Sequence, residues 1–250
     1  AGWHIRALTR RPQQPQDSVT WIAGALDDPK SLAELASGAD AVMHIAGVVN
    51  VPTRAAFEAG NAIATANVVD AARGAGVRRF IHVSSLAARE PELSNYGWSK
   101  ERAERVILAS GLDWTIVRPP AVFGPGDTEM LDLFRMARRG VMVLPPRGRM
   151  SAIYVDELAR LLVALADDDA KSIGQIYEPD DGTPGGWSHK DFAHAISGAV
   201  GRERVATLAM PAALVKAGGR LDRFVRGDRA KLTPDRARYI AHPDWAASEG

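Results

Sequence analysis

The feature that most constrains the fold is a regular alternation of short apolar runs with longer helical patterns. Runs that read as strands cover residues 4–10, 19–24, 41–47, 79–85 and 114–118. Helical patterns lie between them, beginning near Pro29 and covering roughly residues 55–74 and 96–109. Strands that alternate with helices are joined by crossover connections and therefore run parallel. The sequence predicts an α/β fold with a doubly wound parallel sheet.

Composition excludes several classes of function. The chain has 250 residues and a formal net charge of +1, with basic and acidic residues balanced along it, so nucleic-acid binding is not indicated. No apolar run approaches the roughly 20 residues that span a bilayer, and no signal peptide opens the chain. We therefore expect no membrane insertion and a cytoplasmic location.

The residue types present also argue against a metal site. The chain has no cysteine, which excludes disulfides, thiolate catalysis and cysteine metal ligands. His44 and His82 each lie within a predicted strand, without a neighbouring cluster of histidines and acids. We interpret both as core residues and predict no metal.

The motif with the clearest chemistry is Tyr96-Gly97-Trp98-Ser99-Lys100. On a helix Tyr96 and Lys100 share one face, and a nearby ammonium lowers the pKa of a phenol from about 10. Tyr96 would then exchange a proton near neutral pH. Eleven residues earlier, Ser85 ends a predicted buried strand, at the edge where an open α/β sheet binds its ligands. We expect Ser85 to bind a substrate oxygen.

A second motif is the segment from Arg118 to Gly126, in which Pro119 and Pro120 stiffen the backbone. The two motifs, in this order, resemble the short-chain dehydrogenase/reductase superfamily, in its extended or atypical branch of NAD(P)-dependent epimerases, dehydratases and reductases. The resemblance implies a Rossmann-type fold with a small C-terminal substrate lobe. We expect residues 1–122 to form the dinucleotide-binding core, and residues 123–250 to form mainly the lobe, with some returning core elements.

One family feature is not found. The first strand and the Gly-rich turn, whose amides hold the cofactor pyrophosphate, do not occur in this sequence. Ala1 resembles the end of the helix that follows them, so we expect these elements upstream and interpret the chain as an interior segment of a longer protein. Without that strand, its two neighbours in the sheet would have unpaired edges.

The resemblance implies a set of cofactor contacts. Arg10 and Arg11 follow the first strand of this chain, where an acid would select NAD and arginine binds a 2′-phosphate, so NADP is favoured over NAD. Leu26 would pack near the adenine. The remaining expected contacts lie at strand ends and on the catalytic helix: Ile45, Ala46, Gly47, Val83, Ser84, Tyr96, Lys100, Pro119, Ala121 and Val122.

Two further residues match family positions. Asn61 resembles a helix asparagine near the active site, which we include among the catalytic residues for a hydrogen bond that orders backbone or water near Lys100. An ordinary surface asparagine is the alternative. Asp156 resembles the start of a lobe helix, and we expect it to be an N-cap rather than a catalyst.

The resemblance implies hydride transfer between NADP(H) and a small-molecule carbonyl or alcohol, with Ser85, Tyr96 and Lys100 as the site. Leu86 and Ala87 occupy positions where dehydratases of the family have an acid pair, which disfavours elimination. A reductase of a small or hydrophobic carbonyl is preferred. A nucleotide-sugar epimerase, a non-catalytic NADP-binding structural or sensor protein, and a scaffold without nucleotide stay open. The helices around Asn61 and Tyr96 resemble those that pair in family dimers, which leaves a homodimer open.

Overall fold

The chain forms two compact units. The computed structural model describes residues 2–128, 130–167, 171–227 and 232–248. The first unit contains the described residues up to Ser84, together with Ser99–Val117 and Leu162–Tyr177. The second contains Ser85–Trp98, Arg118–Leu161 and the described residues from Glu178 onward. The division between residues 122 and 123 remains a prediction.

The described strands and helices alternate along most of the chain. The strands are β1 (Ile5–Thr9), β2 (Val19–Ala23), β3 (Ala41–His44), β4 (Arg79–Val83), β5 (Asp113–Val117), β6 (Ala121–Phe123), β7 (Val141–Leu144), β8 (Arg149–Met150), β9 (Ala152–Tyr154), β10 (Gln175–Tyr177), β11 (Trp187–Ser188), β12 (Ala206–Ala209) and β13 (Asp244–Trp245). The α-helices are α1 (Pro29–Ala36), α2 (Arg54–Phe57), α3 (Ala64–Gly74), α4 (Asn95–Leu108), α5 (Leu131–Arg139), α6 (Val155–Ala166), α7 (His189–Ala199), α8 (Ala212–Arg226) and α9 (Pro234–Ile240).

The first unit contains two parallel sheets. Four strands pair in the order β10-β5-β4-β3, and every pairing is parallel. Strands β1 and β2 form a separate parallel pair. Among the described residues no strand joins β1 to β3, so each of these two strands has a single partner. The parallel pairing confirms the predicted α/β class.

Strand β4 lies at the core of the first unit. All five of its residues are buried, as expected for an inner strand of a parallel sheet that is covered on both faces. Phe80 of this strand packs with Leu32 of α1, Ile107 of α4 and Ile116 of β5. This packing fixes the carboxyl end of β4, where Ser84 and Ser85 follow.

Local capping accounts for helix starts. Asp28 accepts a hydrogen bond from the Lys30 amide at 3.1 Å, and Pro29 occupies the first turn. The prediction that Asp156 is an N-cap is wrong. Helix α6 already begins at Val155, so the Asp156 carboxylate lies within the first turn, where the helix dipole favours it.

Two predicted elements differ from the structure near the candidate site. Strand β3 ends at His44, and Ile45 to Gly47 continue as irregular backbone. The predicted helix over residues 55–74 is present, but a π-helical turn at Glu58–Ile63 separates α2 from α3. Such turns often occur at functional sites.

The second unit has small sheets and its own core. Parallel pairs form between β6 and β9 and between β7 and β12, while β8 lies between β11 and β13. Ala137 of α5, Met142 of β7 and Ile196 of α7 are buried together. Among the described residues of both units, no helix is long and apolar enough to cross a membrane.

Candidate active site

The start of α4 places Tyr96 one turn ahead of Lys100. Ser94 precedes the helix, and its side-chain hydroxyl accepts a hydrogen bond from the Gly97 amide at 3.0 Å. Its backbone carbonyl accepts one from the Trp98 amide at 2.9 Å. These bonds satisfy amides of the first turn, which would otherwise have no partner in the helix. The predicted spacing of four residues on one helix is therefore present.

Ser85 and Tyr96 are brought together in the second unit. The side chain of Ser85 is hydrogen-bonded to the Tyr96 hydroxyl, and its oxygen also accepts a bond from the Ala87 amide at 3.2 Å. Burial raises the pKa of Tyr96, and the bond with Ser85 only partly opposes this rise. The predicted lowering of the Tyr96 pKa is therefore wrong: removing the phenolate from water outweighs the groups that favour it.

Helix α9 brings two groups close to the start of α4 that the sequence did not identify. Asp235 Oδ1 accepts a hydrogen bond from the Asn95 amide at 2.8 Å, at the start of α4. Burial raises the pKa of Tyr239, and the neighbouring Tyr96 raises it further. Because these residues lie about 140 positions after Tyr96, no local spacing indicates the contact.

Lys100 is buried in the first unit. Its Nζ donates a hydrogen bond to the Val83 carbonyl at 2.8 Å, at the end of β4. Burial lowers the pKa of Lys100 to about 8, and the carboxylate of Glu104 opposes the fall. The amine is thus close to half-charged near pH 8 and positively charged at neutral pH.

Glu104 is a buried acid that sequence reasoning missed. Its Oε1 accepts a hydrogen bond from the Ser84 hydroxyl at 2.5 Å, and both side chains are buried. Glu104 lies four residues after Lys100 on α4, so the two share a face. The same spacing that singled out Tyr96 and Lys100 could have identified it. Glu104 therefore interacts with two groups: it is hydrogen-bonded to Ser84, which follows β4, and its charge attracts Lys100.

Asn61 organises the backbone beside Lys100. It lies on the π-helical turn and is 2% exposed, which excludes a surface asparagine. Its Oδ1 accepts from the Val48 amide at 2.8 Å, and its Nδ2 donates to the Val48 carbonyl at 3.0 Å and to the Ser99 hydroxyl at 2.8 Å. A Cβ on Gly47 would lie 2.8 Å from Asn61 Oδ1 and 3.7 Å from Lys100 Nζ. Only glycine fits this position without displacing its neighbours.

Arg10 and Arg11 lie in the exposed loop after β1. They line a surface pocket of about 480 Å³ together with Thr9, Trp21 and Gly24. The Thr9 hydroxyl bonds both the amide and the carbonyl of Arg11, which fixes the turn. The two guanidinium groups are donors of the kind that bind phosphate. The residues present therefore fit a phosphorylated ligand at this surface.

The other predicted cofactor residues are distributed over several elements. Leu26 packs against the first core cluster, and its carbonyl accepts a bond from Asn67. Ile45 is 57% exposed and offers an apolar surface beyond β3, with Ala46 also exposed. The other strand-end residues are Val83 and Ser84, which are buried, Pro119, whose carbonyl accepts a bond from the Leu86 amide, and Ala121 and Val122, which lie in β6.

His44 and His82 are buried beside each other in the first unit. Their rings stack 5.5 Å apart, and a ring nitrogen of His44 is hydrogen-bonded to the Thr65 hydroxyl at 3.1 Å. Burial, aided by the charge of Lys100, lowers the pKa of His44 to about 4 and that of His82 well below its usual value. Both rings are neutral core groups at neutral pH. Within the described part of the chain, no group of three metal-binding side chains is found.

Sequence comparison identifies reductases among the relatives of this chain. A family model described as NAD(P)H-binding matches residues 1–169. A ceramide reductase from Caulobacter vibrioides is 36% identical over 99% of this chain and 79% of its own length. A 2-alkyl-3-oxoalkanoate reductase from Stenotrophomonas maltophilia is 26% identical over 99% of this chain and 85% of its own.

Comparison with solved structures identifies enzymes whose fold is similar to that of this chain. A nucleoside-diphosphate-sugar epimerase from Staphylococcus aureus has a TM-score of 0.72 at 19% identity, covering 95% of this chain and 80% of its own. The enzyme WbmH from Bordetella bronchiseptica, solved in complex with NAD+, has a TM-score of 0.69 at 20% identity, covering 84% and 78%. These neighbours confirm the predicted Rossmann-type fold class.

Gly97→Ala tests how closely the start of α4 packs on the turn after Ser85. A Cβ at this position would lie 2.5 Å from the Ala87 carbonyl oxygen, so backbone must move. We expect a loss of about 1–3 kcal/mol in the free energy of unfolding, measured by urea denaturation. The control Gly198→Ala, on an exposed position of α7 with open space around it, should be neutral or up to about 1 kcal/mol more stable. Equal stability of the two variants would contradict the close packing.

Glu104→Gln tests the electrostatic link to Lys100. The amide can still accept the Ser84 hydrogen bond but carries no charge, so we expect the pKa of Lys100 to fall below its value of about 8. NMR titration of the lysine side-chain nitrogens measures this directly, with Lys100→Met to assign the signal. Glu101→Gln, on the same helix, should leave the titration unchanged. A Lys100 pKa that stays constant or rises in Glu104→Gln would refute the link.

Proposed function

The chain belongs to the NAD(P)-dependent reductase and epimerase family, in the extended branch of the short-chain dehydrogenases/reductases, and we propose that it reduces a substrate carbonyl with NADPH. Ser85, Tyr96 and Lys100 are the proposed catalytic residues, and Asn61 supports them. The observation that carries this proposal is the hydrogen bond between Ser85 and Tyr96, on a helix whose next turn bears a buried lysine.

NADPH, when bound, supplies the hydride that forms the new C–H bond at the carbonyl carbon. Ser85 donates a hydrogen bond to the carbonyl oxygen and orients it. Tyr96 transfers its proton to the same oxygen as the carbon–oxygen π bond breaks, so the product is an alcohol and the residue is left as tyrosinate. The raised pKa of Tyr96 supports this direction, because the phenol keeps its proton until the substrate oxygen takes it.

Lys100 and Asn61 have supporting roles in the proposal. Lys100 carries a positive charge at neutral pH, which stabilises the tyrosinate one helical turn away and suits a hydrogen bond to the nicotinamide ribose. Asn61 holds the Val48 backbone and Ser99, and so keeps the chain next to Lys100 in place.

We assign the cofactor surface to the residues described above. Arg10 and Arg11 bind the 2′-phosphate and thereby select NADP. Leu26 lies near the adenine, and the ribose and nicotinamide contacts come from the strand-end residues: Ile45, Ala46, Gly47, Val83, Ser84, Pro119, Ala121 and Val122. The exposed apolar surface of Ile45 supports the ribose assignment, because a solvated isoleucine at a strand end gains from being covered.

For the substrate we propose a carbonyl compound with an alkyl chain. The two relatives named above are a ceramide reductase and a 2-alkyl-3-oxoalkanoate reductase, and both names refer to compounds with alkyl chains. In this chain, the turn after Ser85 covers Leu86–Arg89 and contains no carboxylate that could serve in elimination. A sugar epimerase is the second candidate, because a UDP-glucose 4-epimerase from Vibrio cholerae is among the sequence relatives, at 29% identity over 49% of this chain and 44% of its own length.

Tyr96→Phe tests the catalytic assignment. We expect kcat for NADPH-dependent reduction of 3-oxoacyl and 3-ketosphingoid substrates to fall about 10²–10⁴-fold, because the general acid is lost. NADPH binding, followed by fluorescence, should persist. Tyr177→Phe on β10 serves as the control and should retain full activity. Full activity in Tyr96→Phe would overturn the assignment, whereas interconversion of sugar nucleotides without net NADPH oxidation would favour the epimerase.

Arg10→Ala tests cofactor choice. A charge-assisted hydrogen bond contributes about 1.5–3 kcal/mol, so NADPH affinity should fall roughly 10–100-fold while NADH affinity changes little. Calorimetric titration with both nucleotides measures the ratio. The exposed Arg73 at the end of α3 provides a control, because Arg73→Ala should leave both affinities unchanged. Equal losses for NADPH and NADH in Arg10→Ala would refute recognition of the 2′-phosphate.

A further inference from the structure

Helix α8 exposes an apolar stripe that the proposed active site does not use. Leu214, Leu221, Phe224 and Val225 are 54%, 63%, 88% and 69% exposed. Positions 214, 221 and 225 are spaced by seven and four residues, so they lie along one side of the helix, with position 224 beside them. Together these four side chains are named the α8 stripe.

The opposite side of α8 is fixed against its own unit. Val215 is buried, and a Cβ on Gly219 would lie 2.9 Å from the Ala237 Cβ and 3.0 Å from the Thr233 carbonyl oxygen. Helix α8 therefore packs closely on the segment that begins α9. This contact holds the α8 stripe outward and prevents the helix from turning its apolar side inward.

Basic residues border the α8 stripe. Lys216 and Arg220 are exposed and one turn apart, and their helical positions adjoin that of Phe224. The helix contains four basic residues and one acid, in a chain whose net charge is only +1. That acid, Asp222, bonds Arg226 at 3.2 Å and accepts from the Leu232 amide at 2.8 Å, so its charge is neutralised locally.

We propose that α8 docks this protein on the surface of a membrane that contains anionic phospholipids. The α8 stripe would enter the boundary between headgroups and acyl chains, while Lys216 and Arg220 contact the phosphates. An apolar stripe beside a basic one is the pattern of helices that lie in the plane of a membrane surface. Each basic residue near an anionic surface strengthens binding about fivefold.

The length of α8 agrees with surface docking rather than spanning. It has 15 residues, which corresponds to about 22 Å at 1.5 Å per residue, less than the roughly 30 Å of a bilayer core. Docking at a membrane would bring the protein to the phase that holds alkyl-chain compounds. The docking rests on α8 itself and does not require the proposed reductase activity.

A second exposed apolar patch provides a contrast. Val141 and Val143 of β7 and Leu208 of β12 are 54%, 47% and 60% exposed, and the two strands pair with each other. Neither strand contains a charged residue. Because its own strands carry no basic residue, this patch serves as the matched control for the α8 stripe.

The experiment is sedimentation of the full chain with vesicles of phosphatidylcholine alone or mixed with phosphatidylglycerol. We expect binding to the mixed vesicles, weakened by high salt. The double variant Leu221→Ser/Phe224→Ser should bind at least tenfold more weakly, because two large apolar side chains are lost. Lys216→Glu/Arg220→Glu should also lose at least tenfold, since two attractive charges become repulsive. Val143→Ser/Leu208→Ser should bind like the original protein.

Folding and activity are measured on the same preparations. All substituted positions are exposed, so unfolding temperatures and NADPH binding should match those of the original protein. The proposal is overturned if the original protein does not sediment with mixed vesicles, or if the α8 variants sediment as strongly as the β7–β12 control. It is also overturned if light scattering shows a dimer that Leu221→Ser/Phe224→Ser dissociates while vesicle binding is absent. Loss of reductase activity alone would leave vesicle binding intact, so failure of the proposed function is recognised separately.

Discussion

The candidate site depends on keeping a lysine amine inside the protein. An unpaired charge in an apolar interior is strongly unfavourable, so Lys100 needs both the Val83 carbonyl and the carboxylate of Glu104. The first partner lies at the end of β4, and the second is hydrogen-bonded to Ser84, which follows that strand. The buried charge therefore ties α4 to the strand end at two points. The same burial lowers the pKa of Lys100 to about 8.

A second set of hydrogen bonds orders the backbone beside this amine. The side chain of Asn61 is hydrogen-bonded to both the amide and the carbonyl of Val48. The π-helical turn at Glu58–Ile63 carries Asn61, and Gly60 within it lies so close to Val48 that a Cβ would be 2.7 Å from a valine methyl group. The turn, the glycine and the asparagine together place Gly47 beside Lys100.

Much of this arrangement follows from sequence, because strand alternation and the spacing of Tyr96 and Lys100 depend on local geometry. The α/β class, the parallel pairing and the buried β4 were predictable in this way. The direction of the Tyr96 pKa shift was not, since it is set by burial, which the spacing of Tyr96 and Lys100 does not reveal. The π-helical turn also has no apolar periodicity of its own that the sequence could show. The Asp156 prediction failed because helix α6 begins at Val155, before Asp156.

We propose that the positive charge of Lys100 helps to bind the nicotinamide nucleotide, and the pH dependence of NADPH affinity tests this role most directly. A group with a pKa of about 8 is protonated below that pH, so affinity should be constant at lower pH. Above it, affinity should fall by up to about tenfold per pH unit. We expect Lys100→Met to remove this dependence. The same fall with pH in both proteins would contradict it.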